Sequence, residues 1–179
     1  LVIALLSPIL SSIADYKGNK KNFMRFFCYM GAVSCSLMYF FDADHVTLGL
    51  TCFMFAGIGF YGSQVFYNSY LPEIAAEKDR DRISARGFSF GYIGSVLMQM
   101  IGFALVIAMP ESQEPLKITF LLVGIWWVAF AQITFNRLPI SPRNERKSKK
   151  HALVNGFHEL QIVWNQVKHL PQLKRYLPA

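Results

Sequence analysis

Long stretches without a charged residue dominate the pattern of hydrophobic and polar positions along the chain. Between Val46 and Leu71, and again between Gly87 and Met109, no Asp, Glu, Lys or Arg occurs for 26 and then 23 residues. A helix needs about 20 apolar residues to cross the hydrocarbon core of a bilayer. Two further stretches are apolar enough to qualify. The pattern therefore predicts four full membrane spans, at residues 22–41, 46–70, 87–109 and 117–136.

The two ends of the chain follow a different pattern. Residues 1–14 are apolar, but 14 residues of helix cover only about 21 Å, which is too short for a crossing. We expect them to be the end of an earlier span, in a segment cut from a longer protein. Residues 137–179 are polar and basic, with apolar residues spaced 3, 4 and 3 apart at Phe157, Leu160, Trp164 and Val167. This spacing predicts an amphipathic helix at about 156–169, lying on the membrane face or against the bundle.

Charge separates the two sides of these predicted spans. The chain is 53% hydrophobic and 16% charged, against about a quarter charged in soluble domains. Of its 18 Lys and Arg residues, all but Lys117 fall on one side. The other side carries Asp42, Asp44, Glu111 and Glu114. The positive-inside rule makes the basic side cytoplasmic. The net charge of +7 therefore indicates membrane topology, and the expected partner is a lipid bilayer and not a nucleic acid.

Charged residues are excluded from the predicted spans, apart from Arg25 near the start of the first and Lys117 at the start of the last. Every carboxylate lies outside them, and so do His45, His151, His158 and His169. A charge at mid-bilayer costs roughly 2.5 to 3.5 kcal/mol on insertion scales, so such residues are rare unless function requires them. Cys28, Cys35 and Cys52 lie within spans but show no paired metal-binding spacing. We predict no enzyme, no catalytic residue, no metal and no cofactor.

Uncharged polar residues recur on one face of two spans. Tyr61, Gln64 and Asn68 are spaced 3 and 4 apart, and Tyr92, Ser95 and Gln99 share a face of the next span. They could hydrogen-bond a solute in a central cavity, or neighbouring helices at about 1 kcal/mol each. Glycines cluster nearby at Gly87, Gly91, Gly94 and Gly102. Such a cluster is typical of close helix packing.

Two motifs resemble a known transporter superfamily. Residues 12–21 read Ser-Ile-Ala-Asp-Tyr-Lys-Gly-Asn-Lys-Lys, and they resemble the signature loop between helices two and three of the major facilitator superfamily. Ser11 stands where that motif has Gly, and Asn19 replaces a basic residue. Residues 65–75, 82–87 and 91–95 resemble the vacuole-effluxer branch. That branch includes bacterial carriers of unassigned substrate and the fungal vacuolar amino-acid exporter linked to autophagy.

The resemblance implies an all-α integral membrane fold, a partial N-terminal helix bundle of the superfamily. Residues 1–14 would end helix two, and 15–21 would form the cytoplasmic signature loop. The spans 22–41, 46–70, 87–109 and 117–136 would be helices three to six. Residues 71–86 would be a cytoplasmic loop, and 137–179 the central cytoplasmic loop with its amphipathic helix. Helix one and the second half of the same polypeptide would lie outside this chain.

The resemblance also implies a function: secondary active transport of a small polar solute, by family analogy an amino acid, through alternating access. The membrane would be the bacterial cytoplasmic membrane, or the vacuolar membrane if the chain is fungal. Helix four of the superfamily lines the translocation path. The implied solute-contact candidates are Tyr61, Gln64, Asn68, Tyr92 and Gln99.

Loop charges on the basic side are the candidates for a conformational latch between the two halves. The signature loop contributes Asp15, Gly18, Lys20 and Lys21, and a second set consists of Glu73, Arg82 and Arg86. Ordinary solvated topology charges, worth about 0 to 1 kcal/mol as exposed pairs, are the alternative interpretation. Helix four lacks the Arg of proton-coupled antiporters, and the next helix lacks their Gly-Pro pattern, so proton coupling is not predicted.

Two other functions fit the same pattern. A glycoside-type sugar–cation symporter also has Pro-Glu after helix four, as in Pro72-Glu73, and an Arg-rich loop before helix five. A non-transporting multi-span scaffold or receptor would use the polar faces to contact another protein.

Overall fold

Four long helices make up most of the part of the protein that the computed structural model describes, residues 19–110, 112 and 114–139. The long helices are α1 (Lys20–Leu37), α2 (Val46–Ser69), α4 (Arg80–Ala108) and α5 (Glu114–Arg137), and the short helix α3 (Leu71–Ile74) lies between α2 and α4. Single 3-10 turns occupy Met38–Phe40, Ala43–His45 and Glu77–Asp79. Within these described residues there is no strand, and four helices are long and apolar enough to cross a membrane. The predicted all-α membrane fold is confirmed.

Helix α4 is longer than the apolar stretch that predicted it. It begins at Arg80, seven residues before Gly87, and contains 29 residues. At 1.5 Å per residue it is about 43 Å long, against a hydrocarbon core of about 30 Å. Its first two turns therefore carry charge and extend beyond the core. Asp79, just before the helix, lies 3.2 Å from Arg82 in an ion pair that joins the turn to the helix.

The other boundaries have local causes. Pro72 lies in the first turn of α3, where a missing backbone N–H costs no hydrogen bond, so it suits the start of this short helix. The predicted end of helix two at 1–14, most of the loop at 15–21 and the amphipathic helix at about 156–169 lie outside the described residues. The helices discussed below belong to one compact unit, 21–139.

The turn between α1 and α2 is organised by one carboxylate. Asp42 accepts hydrogen bonds from the backbone N–H groups of Asp44, at 3.2 Å, and His45, at 2.9 Å. Nδ1 of the His45 ring lies 2.7 Å from the same carboxylate oxygen. The side-chain hydrogen bond with His45 is the main reason that the pKa of Asp42 lies below its ordinary value. The ionised carboxylate therefore caps the turn that starts α2.

Acidification is expected to loosen this turn. Because the pKa of Asp42 is lower in the folded protein than in the unfolded chain, its stabilising contribution is complete above the ordinary value of 3.8 and is lost as the pH falls through the folded value. Amide hydrogen exchange at residues 43–47, compared at pH 6 and pH 3 after correction for intrinsic rates, should show lower protection at pH 3. The Asp42→Ala variant should show low protection at both pH values. Equal protection in the wild type at both would contradict the capping role.

Helix α1 packs against α2 where two glycines face each other. A Cβ added at Gly59 would lie 2.5 Å from the backbone N of Gly31 and 2.7 Å from the carbonyl O of Phe27. No side chain fits at that distance, so the two backbones touch directly. One turn along, the ring of Phe27 fills the space over Gly62. Glycine at these positions permits a close crossing, which is a common basis of helix association in membranes.

Helix α1 also packs against α5 on another side. A Cβ at Gly124 would lie 2.7 Å from the carbonyl O of Ala32 and 3.1 Å from the backbone N of Ser36. Further along, the Tyr29 ring lies 5.8 Å from the Phe135 ring, and Gln132 donates a 2.9 Å hydrogen bond to the Tyr29 hydroxyl. Helix α1 is therefore held between α2 and α5.

Helix α4 packs against α5 through smaller contacts. A Cβ at Gly102 would meet the Thr119 side chain at 3.2 Å, and one at Gly94 would lie 3.7 Å from Nε1 of Trp126. Helices α2 and α4 approach each other at Gly87, where an added Cβ would lie 2.8 Å from the Tyr67 hydroxyl. A cavity remains between them.

Candidate functional site

The cavity between α2 and α4 has a volume of about 350 Å³. Both helices that form its walls are among the four that are long and apolar enough to cross a membrane. Its lining residues are Phe60, Gln64, Tyr67, Asn68, Gly87, Phe88, Gly91, Tyr92 and Ser95. Ligand pockets in proteins usually measure 300 to 1,000 Å³ and combine apolar walls with a few polar groups, as here.

Helix α2 presents its amides to the cavity because Phe66 anchors the opposite face. Phe66 is fully buried, with its ring centroid 5.6 Å from that of Phe23 and 5.8 Å from that of Phe27 on α1. Successive helical residues are rotated by about 100°, so a residue two positions away lies nearly opposite. Gln64 and Asn68 each lie two positions from Phe66. Packing of one aromatic ring therefore fixes both amides on the cavity side.

Helix α4 contributes small residues between two aromatic rings. Gly87, Gly91 and Ser95 recur every four residues on its cavity face, and Phe88 and Tyr92 flank them. The Ser95 hydroxyl donates a 3.0 Å hydrogen bond to the carbonyl O of Gly91, which leaves its oxygen available as an acceptor. A Cβ at Gly87 would lie 2.8 Å from the Tyr67 hydroxyl. Glycine at that position lets the Tyr67 ring reach across from α2.

The cavity carries no formal charge. None of its lining residues is Asp, Glu, Lys, Arg or His. In the described part of the chain there is also no group of three or more His, Cys, Asp or Glu residues that could hold a metal ion. Neither Gln64 nor Asn68 makes a side-chain hydrogen bond with another described residue. The chemistry available is hydrogen bonding by two amides and hydroxyls, together with contact to aromatic faces.

The structure brings three of the five predicted solute-contact residues together and leaves two apart. Gln64, Asn68 and Tyr92 line the cavity. Tyr61 does not line it, and neither does Gln99, which lies one turn beyond Ser95 on α4. The polar pattern missed five positions of the wall, three aromatic residues and two glycines. These are Phe60, Tyr67, Phe88, Gly87 and Gly91. Their spacing of four from Gln64 or Tyr92 was the available signal for Phe60 and Phe88.

The predicted latch residues that the structure describes lie near the end of the bundle where α1 begins and α5 ends, termed the basic end. Asp15 and Gly18 lie outside the described residues, and Lys20 is the first residue of α1. Glu73 lies in the first turn of α3, Arg82 pairs with Asp79, and Arg86 is exposed on α4. These placements do not test a latch.

Lys21 has a specific partner within the bundle. Its ammonium group donates a 2.8 Å hydrogen bond to the carbonyl O of Leu138, one residue beyond α5. Carbonyl groups at the C-terminus of a helix lack backbone partners and carry partial negative charge, so a cation there is favourable. One turn further, the Arg25 guanidinium lies 5.3 Å from the centroid of the Phe135 ring. The two cations join the start of α1 to the end of α5.

Four helices long and apolar enough to cross a membrane, with an uncharged cavity between two of them, place the chain among multi-pass membrane proteins. The family described as vacuole effluxer Atg22-like matches residues 1–179. The chain therefore belongs to that family. This confirms the resemblance to the vacuole-effluxer branch of the major facilitator superfamily.

Two relatives illustrate the range of the family. The MFS-type transporter YxiO of Bacillus subtilis is 31% identical over 184 residues, which cover 99% of this chain and 42% of YxiO. Autophagy-related protein 22-2 of Aspergillus fumigatus is 24% identical over 224 residues, which cover 87% of this chain and 36% of that protein. The chain thus spans less than half the length of both relatives. No solved structure matches it.

Proposed function

We propose that the chain is part of one half of a secondary active transporter that moves a small polar solute by alternating access, and that the cavity between α2 and α4 binds the solute. The observation that carries this proposal is the pair of amides, Gln64 and Asn68, placed opposite Tyr92 and Ser95 inside membrane-spanning helices. A polar group facing an apolar environment costs free energy unless it finds a partner. A bound solute supplies such partners.

The lining favours a solute held by hydrogen bonds and apolar contact. Amides and hydroxyls both donate and accept, so they suit a solute that carries both kinds of group. By analogy with the fungal vacuolar exporter that the sequence resembles, the solute is an amino acid. The higher identity to a Bacillus protein than to the Aspergillus protein supports the bacterial cytoplasmic membrane as the location.

The basic end would face the cytoplasm by the positive-inside rule. There the signature loop with Asp15 would act as a latch, pairing with the second half of the same polypeptide in one of the two access states. Lys20, Lys21, Glu73, Arg82 and Arg86 surround that end and would complete the latch. Rocking of the two halves about the cavity would then expose it to each side in turn.

A sugar–cation symporter is the second candidate. The observation in its favour is the set of four aromatic rings at the cavity, two from each helix. Flat aromatic faces provide apolar contact area for a sugar ring, while the amides serve its hydroxyl groups. A coupling cation would then need oxygen ligands, such as a carboxylate, from another part of the polypeptide.

Flux through the full-length protein tests the proposal and separates the candidates. We expect the purified transporter, reconstituted in liposomes, to move members of a labelled amino-acid panel with saturable kinetics, and to move melibiose-like sugars poorly. Comparison of uptake with and without a proton or a sodium gradient identifies the ion whose gradient drives transport. Asp15→Ala should lower the rate at least tenfold, because it removes the carboxylate of the latch.

Asp42→Ala is the matched control, since it removes a carboxylate at the opposite end of the bundle. It should leave flux within about twofold of the wild type. Sugar flux driven by a cation gradient would favour the symporter. Absence of flux for both panels in a folded protein would overturn the transport proposal and favour a scaffold or receptor.

A further inference from the structure

The glycines of the helices differ in what surrounds them. At Gly31, Gly59, Gly62 and Gly124, an added Cβ would collide with the backbone or side chains of another helix. At Gly87 it would meet the Tyr67 hydroxyl at 2.8 Å. At Gly91 it would meet nothing within 4 Å. Among the two glycines that line the cavity, Gly91 is therefore the one whose missing side chain leaves open space.

Glycine at position 91 lacks a packing reason in the described part of the chain. In a helix interior glycine is about 1 kcal/mol less favourable than alanine, because it loses more backbone freedom on folding. At Gly59 a close helix crossing requires it. At Gly91 no neighbouring atom excludes a larger residue, so helix packing alone would tolerate alanine or valine there.

The open space at Gly91 belongs to the cavity. Gly91 lies one turn from Gly87 and one turn from Ser95, and all three line it. An added Cβ there would meet nothing within 4 Å, so a side chain would occupy open space at the cavity wall. The cavity volume of about 350 Å³ is near the lower end of the roughly 300 to 1,000 Å³ typical of ligand pockets. A branched side chain would therefore remove a sizeable fraction of the room for solute.

We propose that Gly91 is a specificity-determining residue that sets the upper size limit of the solute. This proposal rests on the transport function proposed above. It assigns the two faces of the cavity different tasks. The amides of α2 recognise polar groups of the solute, and the bare backbone at Gly91 on α4 decides how large its remaining part can be.

A series of substitutions in the full-length transporter tests this role. Proteoliposome uptake of labelled alanine, leucine and tryptophan would be measured for Gly91→Ala, Gly91→Val and Gly91→Leu. We expect alanine flux to fall less than tryptophan flux in every variant of the series. Tryptophan flux should fall progressively along the series, by at least tenfold in Gly91→Val. The ratio of the two fluxes is the readout, because a general loss of folded protein lowers both equally.

Gly57 supplies the matched control. It lies in α2, an added Cβ there would also meet nothing within 4 Å, and it does not line the cavity. Gly57→Val makes the same change in helix propensity and should leave the tryptophan-to-alanine flux ratio unchanged. If Gly91→Leu fails to fold, the Gly91→Ala variant must still shift the ratio in the same direction.

The outcomes separate this proposal from the one on which it rests. Wild-type flux with an unchanged tryptophan-to-alanine ratio across the Gly91 series would overturn the size-limit role and leave the transport function standing. An equal shift of the ratio in the Gly57 variant would also overturn it. Absence of flux for the whole amino-acid panel and for the sugars in folded wild-type protein would overturn both proposals together.

Discussion

Replacing Gly59 with leucine is expected to eliminate most of the folded transporter. At this crossing a Cβ alone would lie 2.5 Å from the backbone of Gly31 and 2.7 Å from that of Phe27. Backbone atoms cannot rotate away as a side chain can, so α1 and α2 would have to separate. Overpacking typically costs about 1 to 3 kcal/mol, and Gly59→Ala should fall in that range. Leucine adds three more carbons and should exceed it, which is a large part of a typical net stability of 5 to 15 kcal/mol.

The measurement is the monodisperse yield and the thermal midpoint of the full-length protein in detergent. Gly57→Leu is the control on the same helix, because an added Cβ there has open space. It should leave the yield near that of the wild type, and Gly57→Ala should be neutral or slightly stabilising. Equal behaviour of the Gly57 and Gly59 variants would show that α1 and α2 do not cross at Gly31 and Gly59.

The second large effect is expected from removing both cavity amides. The double variant Gln64→Leu, Asn68→Leu should fold normally, since neither amide bonds to another described residue. Each solute group left without its partner costs about 1 to 3 kcal/mol. Two such losses correspond to a fall in kcat/KM of about thirtyfold or more, at 1.4 kcal/mol per tenfold. Uptake of the best amino acid of the panel provides the readout.

Two residues that were predicted to contact the solute but do not line the cavity serve as controls for this experiment. Gln99→Leu removes an amide from α4 outside the cavity, and Tyr61→Phe removes a hydroxyl from α2 outside the cavity. Both should transport at rates close to that of the wild type. If the double variant transports normally while expressing well, the cavity is not the solute site. If Gln99→Leu is equally impaired, the path runs further along α4 than the cavity does.

The spans were predictable because the part of a helix that lies in the hydrocarbon core of a bilayer rarely contains charged residues. Residues 46–70 are free of charge, and helix α2 occupies nearly the same positions, Val46–Ser69. This tendency concerns only the part of a helix inside the hydrocarbon core. It therefore could not predict that α4 begins at Arg80, where charged residues form the first turns in water. Nor could it predict the 3-10 turn Ala43–His45, which depends on bonds from the Asp42 side chain.

The sequence predicted which polar residues share a face of one helix, but not which two helices face each other. A spacing of four placed Gln64 and Asn68 on a common face, and the structure places both in one wall. Which helix would face them depends on contacts between distant residues, such as the glycine crossings of α1 with α2 and α5. The limits of the cavity along each helix depend on the same contacts. Tyr61 and Gln99 fall outside those limits, although their periodicity alone matches that of their neighbours.

The contacts that join α1 to α5 also set an order for assembly during synthesis. Tyr29 and Gln132 are 103 residues apart, and Lys21 and Leu138 are 117 apart. At about 5 to 20 residues per second, a ribosome needs on the order of 5 to 20 seconds to make the intervening chain. Helix α1 can pair with α2 early, through Gly31 and Gly59. Its other face must then wait in the membrane for α5, a natural point for a chaperone or insertase to act.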